Sequence, residues 1–302
     1  MKIFNKHFVS VFCISIFLIL LFPLLVHAAT TTTVNLGTAQ NFAVLGGTAV
    51  TNIPTSVITG NVGLSPAAGS NYAGLTSTEV TGTIYAVDGS GPAGSVSNLA
   101  LLTIAKNNLT TAYLDAAGRT PTQTFTTTDN QLGGQTLTSG VYAFGHATTA
   151  NLTSASPLTL DAQGDPNAVF IFQASSDLIA GSGSVVRLIN GAQACNVFWQ
   201  VSSSATLGTG STFVGTIMAL TSITVTTDVT IQGRVLARNG AVTLDFDTIT
   251  SAICATGGTT LPNTNGITVA SKNISWNILI LAFASISTGA LLLSIRNMKT
   301  IS

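Results

Sequence analysis

Few side chains in this 302-residue chain could carry chemistry, and they are scattered. Asp245 and Asp247 stand two apart, a spacing that puts both carboxylates on one face of a strand, near the separation used by retaining glycosidases. Asp161 and Asp165, in Leu-Asp-Ala-Gln-Gly-Asp-Pro-Asn, could share a turn or hold a calcium ion, but Gln-Gly-Asp and Asp-Pro-Asn are turn formers first. His146, in Phe-Gly-His-Ala, has no second imidazole in the domain and reads as a polar loop residue. Arg234 and Arg238 flank Val-Leu-Ala at even spacing, which predicts solvated or paired charges on one face of a strand. A zinc site wants about four nitrogen or sulfur ligands, and these are not available. The expectation is a protein with no catalytic residue, no metal and no cofactor.

The two ends say where the chain works. Residues 1–29 carry Lys2 and Lys6, then an apolar run, then small residues at Ala28 and Ala29, the three-part pattern of a secretory signal peptide. Residues 274–295 include Trp-Asn-Ile-Leu-Ile-Leu-Ala-Phe-Ala-Ser, long and apolar enough to cross a bilayer, with Arg296 and Lys299 in a short cytoplasmic tail at 296–302. Between domain and span lies a Thr/Gly/Asn-rich linker at 255–273. Its Leu-Pro-Asn-Thr-Asn, residues 261–265, resembles a sortase-type sorting signal with Asn265 in place of glycine. The expected location is the cell exterior, held by the membrane span or joined to the cell wall.

What remains, 30–254, suits one domain. Its five basic side chains against ten acidic ones leave a net charge of −5. That excludes a nucleic-acid partner, whose affinity comes largely from phosphate neutralisation. Cys195 and Cys254 are its only cysteines. In an exported domain they are expected to pair as a disulfide, clamping the last coils.

The elements that position these residues repeat. The stretches beginning at Gly140, Ala168, Asn196, Thr216 and Arg234 each open with a short apolar strand, pass through small polar residues and continue into two more short strands. Self-similarity at this short, tightening period is the mark of a solenoid. Within the middle strands, alternation sends successive side chains to opposite faces. Ala205 and Leu207, Ile223 and Val225, and Val242 and Leu244 point inward; Thr206 and Gly208, Thr224 and Thr226, and Thr243 and Asp245 point outward. Earlier coils offer Asn151 and Thr153, then Ile179 and Gly181. One long helix is expected where Leu102, Ala105, Leu109, Ala112 and Ala116 recur at helical spacing, with Ser95 or Ser97 capping its start and Gly118 at its end. It should lie along a wall of the solenoid.

Phe-Ala-Val-Leu-Gly-Gly-Thr-Ala-Val-Thr-Asn, Ile-Thr-Gly-Asn-Val-Gly-Leu-Ser-Pro, Gly-Gly-Gln-Thr-Leu-Thr-Ser-Gly-Val-Tyr-Ala-Phe and Gly-Arg-Val-Leu-Ala-Arg-Asn-Gly-Ala-Val-Thr-Leu-Asp follow one another here in order. With the runs between them, the domain resembles the DUF3494 family of microbial ice-binding proteins from about Val34 to Ile253. The resemblance implies a mainly β fold: a right-handed, three-sided β-solenoid, discontinuous in chain order, with the long α-helix alongside. It also implies that the partner is an ice crystal surface, met by a flat face of small, uncharged side chains. Mapped by position, that face is Asn151, Thr153, Thr206, Gly208, Thr224, Thr226 and Thr243, with Thr48 added from the N-terminal part. The rival reading is a cell-surface adhesin or structural solenoid without ice activity.

Overall fold

A computed structural model describes residues 31–126, 130–144, 149–153 and 156–255. The expected coils are present, and each runs through three faces built entirely of parallel pairs. On the second face the strands stack in the order Ala150–Leu152, Leu178–Ala180, Ala205–Leu207, Ile223–Val225, Val242–Asp245, Val50–Ile53 and Tyr72–Ala73. The first face runs from Gln123–Phe125 through Phe170–Ala174 and Val197–Val201 to Phe42–Gly46 and Asn61–Leu64. The third face carries Leu158–Asp161 and Val186–Ile189 at one end and Thr248–Thr250 and Val57–Thr59 at the other. Between those ends run Thr212–Ala219 and Thr230–Ala237, eight residues each, which serve the third face with their first residues and the first face with their last. Fusing two strands this way removes a turn, which explains why the repeat shortens toward the C-terminus. Gly215 and Gly233 sit face to face at the bend, and a Cβ on Gly233 would lie 1.8 Å from the Gly215 carbonyl oxygen.

The stacking order is not the chain order. Val50–Ile53 pairs with Val242–Asp245, and Phe42–Gly46 lies between Thr230–Ala237 and Asn61–Leu64, so the N-terminal coils extend the C-terminal end of the stack. After Val96–Ser97 the chain must return to the opposite end to begin at Gln123–Phe125. Helix α1, Leu99–Gly118, makes that return. Its 20 residues rise about 30 Å, the height of roughly six strand spacings.

The expected stripe of α1 is buried, with Tyr113 added to it, against Phe42, Leu45, Ile171, Phe198, Met218 and Leu236 of the first face. First-face strands are therefore covered on both sides, which is why they read as mostly hydrophobic runs, interrupted by Gln173, Gln200 and Arg234. The start of α1 differs from expectation. Asn98, not Ser95 or Ser97, is the N-cap, and its side chain accepts a hydrogen bond from the Leu101 N–H at 3.0 Å. Ser97 is instead committed to a short strand, where its backbone is extended. Lys106 on α1 donates to the carbonyls of Ala237 and Arg238, fastening the helix to a coil.

Inward residues of successive coils stack in register. Tyr142, Phe172 and Trp199 are strand partners, with ring centroids 5.4 and 4.0 Å apart, and the Trp199 indole N–H donates to the Val214 carbonyl. An aromatic pair at the Tyr142–Phe172 separation adds about 0.5–1.5 kcal/mol beyond the area it buries. The expected disulfide is present: Cys195 is bonded to Cys254, tying a turn before the first-face strand Val197–Val201 to the chain just after Thr248–Thr250. The signal peptide at 1–29, the span at 274–295, the tail and all of the linker but Ala255 lie outside the described residues, as does His146. Among the described residues no helix is long and apolar enough to cross a membrane.

Candidate functional site

On the second face the inward positions Ala205, Leu207, Ile223, Val225, Val242 and Leu244 are fully buried. Their burial fixes the opposite set outward. Thr206 pairs with Thr224, Thr224 with Thr243, and Thr243 with Thr51, giving four threonines in one row across four neighbouring coils. Rungs of such a row lie about 4.8 Å apart, and outward residues two apart along a strand about 6.5–7 Å apart. Asn151 and Ile179 continue the row at one end and Ala73 at the other.

Thr51 is the member that sequence reasoning missed. It lies in a Val50–Ile53 strand whose inward Asn52 is polar, so the alternation there is blurred. Asn52 is satisfied inside the fold: its amide donates to Glu79 and its oxygen accepts from the Ser56 hydroxyl. The Glu79 carboxyl is pulled up by burial. Hydrogen bonds from Thr76, Asn52 and Ser56 outweigh that effect and hold it below the usual range.

The other expected residues divide. Thr153, Gly208 and Thr226 lie two positions beyond the row, on the rim toward the third face. The Thr226 hydroxyl donates to the Leu207 carbonyl at 2.8 Å, so its orientation is fixed by the backbone. Gly208 has a structural reason: a Cβ there would meet the backbone of Ser182 and Gly181 at 2.5 and 2.6 Å. The Thr153 hydroxyl is held by the Gln131 amide. Thr48 is exposed but precedes its strand, on the opposite rim, where its N–H donates to the Gly240 carbonyl.

The alternative chemistries lose their geometry. Asp245 and Asp247 do not share a face: Phe246 between them takes φ 58°, turning the chain so that Asp245 lies outward and Asp247 is 1% exposed. Asp247 accepts from the N–H groups of Val229 and Asp245, while Asp245 accepts from the Thr227 hydroxyl, so both serve the corner. Asp161 and Asp165 accept N–H groups two residues on, from Gln163 and Asn167, as turn carboxylates do. Arg234 is neither solvated nor paired with a carboxylate, against expectation. It is 6% exposed and donates to the carbonyls of Gln40 and Ala252, because the strand that carries it is covered on both sides. Arg238 instead lies over the Tyr113 ring at 4.5 Å. An open groove of about 780 Å³ beside Arg234, lined also by Gln40, Asn61 and Ser251, contains no carboxylate or histidine.

The sequence profile of the Ice-binding-like family matches residues 44–250, which span all four threonine rungs. The chain belongs to this family. An ice-binding protein of Nostoc sp. (strain HG1) is 48% identical over 218 residues, 72% of this chain and 74% of the relative. One from Flavobacterium frigoris (strain PS1) is 40% identical over 217 residues, 72% of this chain and 76% of the relative. Among solved structures, an ice-binding protein from an Antarctic biological consortium aligns with TM-score 0.65 at 41% identity, over 74% of this chain and 93% of that one. The DUF3494 domain of a Shewanella frigidimarina ice-binding protein aligns with TM-score 0.65 at 33% identity, over 74% of this chain and 99% of that one. That solved chain is a single such domain. Here too core, helix and disulfide all fall within residues 31–255.

Proposed function

We propose that the protein binds ice through its second face and is not an enzyme. The observation that carries the reading is the register of Thr206, Thr224, Thr243 and Thr51 in four adjacent coils. Parallel pairing repeats the row about every 4.8 Å, close to an oxygen spacing on several ice planes. Threonine suits it because a β-branched side chain is stiff at χ1, so methyl and hydroxyl are placed before contact. Pre-organisation lowers the ordering cost of binding. Each contact is weak, since liquid water competes for every hydroxyl, so adsorption depends on the whole array engaging together. A charge in the row would hold its own hydration shell in a geometry of its own, and the row has none.

Ice growth and recrystallisation are then inhibited outside the cell. Export follows from residues 1–29, and retention at the surface from the span at 274–295, which needs no sorting motif to act. Wall attachment would require Leu-Pro-Asn-Thr-Asn to be cut despite Asn265.

The test is a single ice crystal in a solution of residues 31–255, watched by nanolitre osmometry. Faceted growth with a hysteresis gap is the expected result, and Thr224→Tyr, which places a ring over the middle of the row, should sharply reduce it with the fold intact. Smooth growth from folded, oxidised protein would overturn the reading and leave an adhesin or structural spacer. A gap unchanged by Thr224→Tyr would remove the second face from the mechanism.

A further inference from the structure

The third face carries a second array. Its inward residues Phe213, Ile231, Ile249 and Ile58 are buried, and the residues on either side of them are exposed, except for Val214, which is buried. Strand register aligns Thr212 with Thr230 and Thr230 with Thr248. Two positions along, it aligns Thr250 with Thr59 and Thr59 with Thr81. All six threonines are exposed. They form two offset columns whose spacings, about 4.8 Å across strands and 6.5–7 Å along them, match those of the second face because both are set by the same stack.

Three independent features argue against an ordinary solvated sheet. First, one column follows the second-face row coil by coil, Thr212 after Thr206, Thr230 after Thr224 and Thr248 after Thr243, while the other runs from Thr250 through Thr59, which follows Thr51, to Thr81, which follows Ala73. Second, the same face farther along the stack is ordinary, with Arg187 exposed opposite Thr159 and Asp161 opposite Ile189. Charge is thus tolerated on this face, yet between Arg187 and Thr81 the described outward positions carry none. Third, the edge shared by the two faces exposes Ile53, Phe246 and Val57, at 54%, 52% and 55% of their surface. Ile53 pairs with Asp245 and Val57 with Thr248, so the three lie on adjoining coils. An exposed apolar cluster of this kind marks a contact surface. Helix α1 covers only the first face, leaving both arrays and the edge between them open.

We infer that the third face is a second ice-contacting plane, separated from the first by an edge that carries Asp228 and Asp245 beside Ile53, Phe246 and Val57, so that one molecule engages two differently oriented ice planes. A protein partner fits less well, because stable protein interfaces centre on aromatic and arginine anchors and this face has neither apart from the edge. The inference rests on the reading of the second face as an ice surface.

The experiment grows a single-crystal ice hemisphere in fluorescently labelled residues 31–255 and maps the planes that take up label. Four proteins are compared: wild type, Thr224→Tyr on the second face, Thr230→Tyr on the third, and Thr59→Lys as an independent third-face variant. Circular dichroism melting checks each for the wild-type fold. The inference expects two sets of labelled planes for wild type, with Thr224→Tyr losing one set and both third-face variants losing the other. If both third-face variants label as wild type while Thr224→Tyr loses its planes, the third face is inert and the second-face reading stands. If only the third-face variants lose label, the second-face reading fails and ice contact belongs to the third face alone. Wild-type labelling by all three variants overturns both.

Discussion

Replacing both Cys195 and Cys254 by alanine tests how the stack is held. The bridge joins positions 59 residues apart. In the chain-entropy treatment a loop of that size removes about 14 cal/mol/K from the unfolded chain, or about 4 kcal/mol at 25 °C. Side-chain loss adds little, since Cys195 is half-buried and Cys254 exposed, so alanine opens no large cavity. For a domain of this size each kcal/mol moves the melting temperature by about 2–4 °C, so the double variant should melt about 8–16 °C lower. Urea unfolding of oxidised wild type, reduced wild type and the variant should give coincident midpoints for the last two, below the first, with a steeper slope because the unbridged unfolded chain exposes more surface. The bridged loop contains Thr206, Thr224 and Thr243, yet their register is set by strand pairing on both sides. Near 0 °C, where the variant remains folded, its hysteresis should therefore equal that of wild type. A stability loss under about 1 kcal/mol would refute the chain-entropy argument for this loop. Two reactive thiols in unfolded, unreduced wild type would refute the bridge.

The remaining predictions concern charge and location. Burial pushes the Asp247 carboxyl up to about 6, against hydrogen bonds from the Asp245 and Val229 N–H groups and with the Asp245 and Asp228 charges adding to the rise. A raised pKa means that the folded state binds the proton more tightly, so this contribution to stability is complete below about pH 4 and lost as pH climbs through about 6. Measured against Asp247→Asn, wild-type stability should fall from pH 4 to pH 6 and level off above; a flat difference over that range would refute the assignment. Deleting residues 274–302 should release the domain into the medium, detected by immunoblot of cell and supernatant fractions, and a deletion product that stays with the cells would refute retention by the span.

Much of the architecture was legible because it rests on local periodicity. The stripe Leu102, Ala105, Leu109, Ala112 and Ala116 marked the helix and its buried side, since helix geometry repeats in the same way wherever the helix docks. The cap is Asn98 and not the expected Ser95 or Ser97, because Ser, Asn and Asp are near-equivalent caps, and the choice depends on where the preceding strand ends. The chemistry of isolated side chains was less legible. Nothing local to Arg234 reveals that it is buried against the carbonyls of Gln40 and Ala252, because Gln40 lies 194 residues away in sequence, in a coil that only the stacking brings alongside. The third-face threonines likewise lie in strands that also serve the first face, so their columns emerge only when the coils are superposed.

The sequence by itself determined which side chains of each coil face outward: strand geometry has a period of two, so burying Ala205 and Leu207 exposes Thr206 whatever lies beside it. Only the tertiary structure decided which outward residues become neighbours. Thr51 meets Thr243 because the N-terminal coils stack on the C-terminal end, with α1 carrying the chain back along the first face. Parallel pairing joins segments through backbone hydrogen bonds that are nearly the same for any residues, so the partner is chosen by how whole coils nest, and no local pattern in the chain records that choice.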